Sequence, residues 1–259
     1  MEILTEIVRL LFVHGMDIEA RDQHGKPALW YSIQGLLEEV TLMLLENGTG
    51  MDVLDQKGMT LLHLAARKNL SGVTKRLLQA GADIDATDKE GSTTLLHACE
   101  RSCENAVRLL LEQRADTNAK DNKGRTPLLL ACGKRHGEVA KLLLEHGADL
   151  MAMDNKTHIA SHVAMGKGPA TTKPDVVKAL LERGADIKAR DYKGRAPLLE
   201  ACRHGLEPII QLLLDHAADV RIADRGGRTP IHEAVQHYCN IQIKRILLEK
   251  GADVNVRDK

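Results

Sequence analysis

Apolar residues in this chain come in pairs of short helical bursts, separated by polar turn clusters. Residues 121–154 show the pattern most plainly. Asp121, Asn122, Lys123 and Gly124 form a polar turn. Thr126 and Pro127 predict a helix start, because a Thr hydroxyl accepts orphan amide protons and proline's fixed φ suits the first helical position. Leu128 to Cys132 make a small, apolar helix face, and Gly137-Glu138 are expected to break and restart the helix. Val139, Leu142, Leu143 and Leu144 follow at helical spacing. His146-Gly147 then end the second helix, with the glycine where positive φ is wanted.

The same unit recurs along the whole chain. Its opening aspartate falls at Asp22, Asp55, Asp88, Asp121, Asp154, Asp191, Asp224 and Asp258, at intervals of 33, 33, 33, 33, 37, 33 and 34 residues. A turn and two helices at a fixed period near 33 predict a stacked solenoid, in which each unit buries its apolar face against its neighbours. The repeats are 22–54, 55–87, 88–120, 121–153, 154–190, 191–223 and 224–257, with a partial repeat at 1–21 and the start of a further one at 258–259. Motifs recur in register: Gly-Arg-Thr-Pro-Leu at 124–128, Gly-Arg-Thr-Pro-Ile-His at 227–232, Leu-Leu-His-Leu-Ala-Ala at 61–66, and Gly-Ala-Asp at 81–83, 147–149, 184–186 and 251–253. On these residues the chain resembles the ankyrin repeat family over nearly its full length. The resemblance implies an all-α solenoid, one domain over 1–259, of helix-turn-helix units joined by β-hairpin-like loops.

Measured against 121–154, some repeats deviate. In repeat 1, Gly48-Thr49-Gly50 replaces Gly-Ala-Asp, and Trp30 stands where the family has histidine. Repeat 3 has His97 one place late. Repeat 5 has Thr157 for the turn glycine and Ile159-Ala160 for Thr-Pro, and its connection Met165–Asp175 is four residues longer than its neighbours'. Repeat 5 is therefore expected to be the local stability minimum or a hinge. Repeat 6 has Ala196 for the capping Thr, which loses about 1 kcal/mol. Apolar Leu4, Ile7, Leu11 and Phe12 at one end, with no polar capping helix at the other, suggest a segment of a longer protein.

Composition narrows the picture. Hydrophobic content is 43% but aromatics are only 2%, so Leu, Ala, Val and Ile must fill the core. Lys plus Arg and Asp plus Glu both number 36, which gives no general pull toward nucleic acid or membrane. Five cysteines without paired spacing point to a reducing compartment, cytoplasmic or nuclear. No run reaches the roughly 18 apolar residues of a membrane helix.

Catalytic and metal chemistry find little purchase. His158 and His162 are four apart, but no Glu follows His158 as in the zinc-protease pattern. His162 also takes a structural position shared with His63 and His232. Cys99, Cys132 and Cys202 share one repeat position where the family has a core alanine, and read as small buried hydrophobes. Cys103 and Cys239 share a later one. Gly226-Gly227 is a turn rather than a phosphate loop. Glu46, Glu112, Glu145, Glu182 and Glu249 recur at one helix end and read as a solvated face. Neither an enzyme nor a cofactor is expected.

What remains is the concave groove that the resemblance implies, lined by hairpin tips and the outward face of each first helix. Its basic places include Lys57, Arg67, Lys68, Lys89, Arg101, Lys123, Arg125, Lys134, Lys193, Arg195, Arg203 and Arg228, and only Glu90, Glu100, Glu200 and Glu233 are acidic. Such a face would steer an acidic peptide or protein toward it. Tyr31, Trp30, Tyr192 and His237 are the rare large groups at or beside it. Aromatics and arginines are the commoner hot spots, so Tyr192 with Arg195 and Arg203 is the expected anchor cluster. Scarce aromatics argue against single-stranded nucleic acid. The reading is a monomeric, non-catalytic scaffold for an acidic protein partner; the alternative is a spacer or spring within a larger signalling or sensor protein. In this family, asparaginyl hydroxylases modify the hairpin position held here by Asn118 and Asn255.

Overall fold

A computed structural model describes residues 2–164, 174–236 and 241–258. They divide into two compact units, Met1–Asn122 and Lys123–Lys259. The first contains α1 (Glu2–Val13), α2 (Ala28–Gln34), α3 (Glu38–Glu46), α4 (Leu61–Arg67), α5 (Ser71–Gln79), α6 (Thr94–Glu100) and α7 (Glu104–Glu112). The second contains α8 (Pro127–Lys134), α9 (Gly137–Glu145), α10 (Ala160–Ala164), α11 (Asp175–Glu182), α12 (Pro197–Arg203), α13 (Glu207–Asp215), α14 (Pro230–Gln236) and α15 (Ile241–Glu249). The chain is all-α: among the described residues no strand forms, and the loops carry only isolated bridges, Arg21–Pro27 and Thr87–Thr93.

The opening aspartate builds each hairpin. Asp55 Oδ1 accepts the backbone N–H of Lys57 and of Met59, each at 2.8 Å. Asp191 Oδ1 does the same for Lys193 at 2.9 Å and Arg195 at 2.8 Å. Asp22, Asp88, Asp154 and Asp224 repeat the arrangement. An Asp side chain that closes its own turn in this way explains the fixed residue at the head of every unit. The fourth turn residue is left-handed, with φ of 79° at Gly58 and 77° at Gly194. Thr157 takes that conformation too, at φ 59°, although a β-branched side chain disfavours it.

First helices begin as the sequence predicts. Thr126 Oγ1 caps α8 by accepting from Leu129 N at 3.3 Å, and Thr60 and Thr93 cap α4 and α6. Ala196 offers no such bond to α12. The break between helices differs from the expectation of Gly137-Glu138. Arg135 turns the chain at φ 62°, while Gly137 is the first residue of α9. His136 N donates back to Ala131 O at 2.9 Å, so the left-handed residue closes the end of α8. Asn69, Ser102 and Gly205 hold the same place in other repeats.

Apolar side chains fill both units. Leu29, Ile33, Leu62, Leu77 and Leu110 are buried in the first, and Leu128, Leu143, Ile209 and Leu213 in the second. Burying each Leu or Ile contributes about 2 kcal/mol. Trp30 is core rather than groove: it is buried, with the Lys26 ammonium 4.1 Å from its ring centroid. The five recurring glutamates, Glu46, Glu112, Glu145, Glu182 and Glu249, are exposed at second-helix ends.

Candidate functional site: the hairpin and first-helix face

Successive hairpin tips are joined by main-chain hydrogen bonds. In the first unit Lys89 N donates to Lys57 O at 2.9 Å and Asn122 N to Glu90 O at 2.9 Å; in the second, Asn155 N donates to Lys123 O at 3.1 Å and Arg225 N to Lys193 O at 3.2 Å. The turn glycine permits this approach. A Cβ on Gly124 would lie 2.9 Å from Asn155 N, and one on Gly194 would lie 3.1 Å from Arg225 N. At repeat 5 the glycine is Thr157, and the corresponding bond from Tyr192 N to Lys156 O is missing. It is also missing between His24 and Gln56, where Gly25 faces open space.

The sequence-predicted binding residues fall into three groups. Lys57, Arg101, Lys123, Lys134, Tyr192 and Lys193 are exposed. Arg67, Arg125, Arg203 and Arg228 are half-buried. Arg195 is only 7% exposed. His237 lies outside the described residues, as do Cys239 and most of the long repeat-5 connection.

A register rule governs which of these charges are available. While Oδ1 of the opening aspartate holds the turn, Oδ2 accepts a side chain four or nine positions on. Nine positions on, Tyr31 reaches Asp22 at 2.5 Å and His97 reaches Asp88 at 2.8 Å. Four positions on, His158 lies 3.2 Å from Asp154, and Arg195 Nη2 lies 2.6 Å from Asp191. Burial opposes the charge on Asp191, but the hydrogen bonds from Arg195 hold its carboxyl below the usual carboxylate range. Asp88 is held low in the same way by Ser92 N and His97 against its own burial.

Repeats 6 and 7 add a second carboxylate at the ninth position. Glu200 Oε1 lies 2.9 Å from Arg195 Nη1, and Glu233 Oε1 lies 3.1 Å from Arg228 Nη2. Arg203 stands 3.9 Å from the other oxygen of Glu200. Arg195 is thus neutralised from both sides, and the expected anchor cluster is not a set of free cations. The sequence carries the signal for this, an Arg followed five residues later by Glu in both repeats, but counting charge by place overlooks it.

Tyr192, Arg195 and Arg203 do line one depression of the second unit, about 430 Å³, together with His158, Glu200 and His204. Tyr192 is 45% exposed and packs edge-on against His158, centroids 5.9 Å apart, with Lys193 Nζ 5.4 Å from its ring. Of the lining side chains, Lys156, Arg195 and Arg203 are cationic and Asp154 and Glu200 anionic, with Asp191 paired to Arg195.

His63, His162 and His232 act as struts. His63 Nε2 reaches Ser92 O at 3.0 Å, His162 Nε2 reaches Arg195 O at 2.8 Å, and His232 Nε2 reaches Val256 O at 3.0 Å, each tying a first helix to the next hairpin. Thr60 N donates to His63 Nδ1 at 3.2 Å and Thr229 N to His232 Nδ1 at 3.1 Å, and each Thr hydroxyl lies 2.8 Å from the same ring nitrogen. In repeat 5 the Thr is Ile159, and the buried His162 Nδ1 has no partner among the described residues. Burial pushes the pKa of His63 and His162 down, so both are neutral struts. Among the described residues no group of His, Cys, Asp and Glu is arranged to hold a metal ion.

Cys99, Cys132 and Cys202 are fully buried. Burial pushes the Cys132 thiol up to about 12 and Cys99 higher still. A nucleophilic thiol needs the opposite shift. No helix among the described residues is long and apolar enough to cross a membrane.

Asn118 and Asn255 are exposed turn residues whose N–H groups donate to Asp116 and Asp253. Comparison with known families agrees with this repeat architecture. A model described as ankyrin repeats (3 copies) matches residues 3–88, 34–121, 62–154 and 158–258. A search of curated proteins returned no match. Repeats of this kind are generally protein–protein interaction modules, and proteins built from them are typically non-catalytic scaffolds. With its aspartate-headed hairpins, strut histidines and near-complete family match, the chain belongs to the ankyrin repeat family.

Proposed function

We propose that the chain is a monomeric, non-catalytic recognition module that binds an acidic protein or peptide through the cations of its hairpin and first-helix face. The observation that carries this reading is the set of tip and helix-end cations exposed on hairpins already fixed by Asp turns and strut histidines. Such a surface does not have to be ordered on binding, so less of the interaction energy is spent on conformational entropy. Lys57, Lys123 and Lys193 are exposed tip residues of three repeats. Arg67 and Arg101 belong to the proposed contact face of the first unit, and Arg125, Lys134, Arg203 and Tyr192 to that of the second, where Arg195 serves as a buried brace.

Affinity capture from lysate with the wild type and with the Lys57→Glu/Lys123→Glu/Lys193→Glu variant tests this. The wild type is expected to retain proteins with acidic segments that elute as salt is raised, and the variant to lose them. Recovery of the same proteins by both would overturn the charged-face reading.

A further inference from the structure

We propose that an acidic segment docks in extended form on the repeat 2 and 3 face of the first unit, with its carboxylates spaced three residues apart. The proposal deepens the recognition reading above and rests on it. Lys57, Arg67, Lys68, Lys89 and Arg101 belong to this face, and among the described residues none has a carboxylate within ion-pair distance. Lys57, Lys68, Lys89 and Arg101 are exposed. Lys89 Nζ donates only to a neutral acceptor, Gln56 O, at 2.8 Å, and Arg67 Nη1 only to Met59 Sδ at 3.6 Å.

Nearby anions are mostly committed elsewhere. Asp88 is buried and held by His97, and Asp55 accepts the N–H groups of its own turn. Glu90 at a tip and the half-buried Glu100 also belong to the face, where the cations outnumber the anions. The second unit differs, because Glu200 and Glu233 stand beside Arg195 and Arg228.

Geometry sets the spacing of the ligand. Lys68 follows α4 and Arg101 follows α6, at matching places in consecutive repeats. Cys103 Sγ donates to Arg67 O at 3.4 Å, which places the start of α7 against the end of α4. Helices packed side by side lie about 8–10 Å apart. An extended chain in the polyproline II form has three residues per turn and rises about 3.1 Å per residue, so carboxylates three residues apart lie on one side of it, about 9 Å apart, and match successive repeats.

The test uses fluorescence anisotropy with a labelled Gly/Ser peptide bearing glutamate at every third position. A second peptide of the same composition has its glutamates contiguous. The variants are Lys57→Glu/Lys68→Glu/Arg101→Glu in the first unit and Lys193→Glu/Arg203→Glu/Arg225→Glu in the second, with unchanged far-UV circular dichroism and melting checked for each. The first-unit variant is expected to weaken the spaced peptide about tenfold or more, the second-unit variant less than about threefold, and the contiguous peptide to bind several-fold more weakly. Equal loss in the two variants, or equal binding of the two peptides, would overturn this docking assignment while leaving acidic recognition standing. Failure of the wild type to bind either peptide would overturn both, as would tighter binding of a single-stranded oligonucleotide.

Discussion

Arg195 Nη1 lies 2.9 Å from Glu200 Oε1, and Arg228 repeats the relationship with Glu233 at 3.1 Å. In the recognition proposed above, these carboxylates offset the charge of Arg195 and Arg228 toward an acidic partner. Glu200→Gln combined with Glu233→Gln should therefore raise the affinity for a glutamate-bearing peptide severalfold at low salt. Titration by anisotropy reads this directly, and an unchanged affinity would mean that the masking is irrelevant to binding.

Beneath that pair, Arg195 depends on Asp191. Their side chains are 8% and 1% exposed, so Asp191→Asn leaves a buried guanidinium half-compensated: the amide oxygen can still hold the turn N–H groups, but an NH2 donor then faces the Arg195 guanidinium. Breaking one side of a buried pair typically costs about 3–5 kcal/mol. Denaturant unfolding should show a loss of that order, and a loss below about 1 kcal/mol would show that Glu200 alone suffices.

Thr157 and Ile159 make repeat 5 the expected weak point. Thr157 sits at φ 59° where other repeats use glycine, and the tip bond to Tyr192 N is missing beside it. Thr157→Gly should stabilise the protein by about 1 kcal/mol, from relief of left-handed strain. Ile159→Thr supplies both the helix cap and a partner for His162 Nδ1, and should add about 1 kcal/mol. Hydrogen exchange should find the α10 amides less protected than those of α8 in the wild type, and closer to them in the double variant. Equal protection of α8 and α10 at the outset would contradict this.

His63 and His162 give a pH dependence of definite sign. Both have pKa values lowered by burial, so the unfolded chain takes up protons that the folded one refuses. Stability should thus be complete above the ordinary His pKa near 6.5, and should fall as pH drops through it toward the lower folded values. Asp88 and Asp191 have lowered carboxyl values, and their contribution is lost only at more acid pH, as pH falls below about 4. Urea midpoints between pH 8 and pH 5 test the histidine part. A flat profile there in the wild type would contradict neutral strut histidines.

Much of this was legible in the residues themselves. The recurring aspartate announced the period because one carboxylate must close each turn, and Thr126-Pro127 marked a helix start that physical capping rules require. The inter-helix break was misplaced because Arg135 and Ser102 adopt a left-handed conformation that their side chains do not advertise, whereas Gly137 does not need it. Position alone puts Trp30 at or beside the groove but cannot say which way its side chain turns, and it turns into the core. The availability of the cations was the least legible feature. It depends on whether a carboxylate nine places after the opening aspartate folds back onto the residue at the fourth, as Glu200 does and as Leu64 in repeat 2 cannot.

Exposed cations are proposed to select an acidic partner. The most direct test is the salt dependence of affinity for the spaced glutamate peptide, set beside the same peptide with glutamine at every glutamate. Affinity for the glutamate peptide should fall steadily as ionic strength rises through the range where the Debye length drops from about 30 to about 8 Å, and the glutamine peptide should not bind. Equal binding of the two peptides, insensitive to salt, would contradict the account.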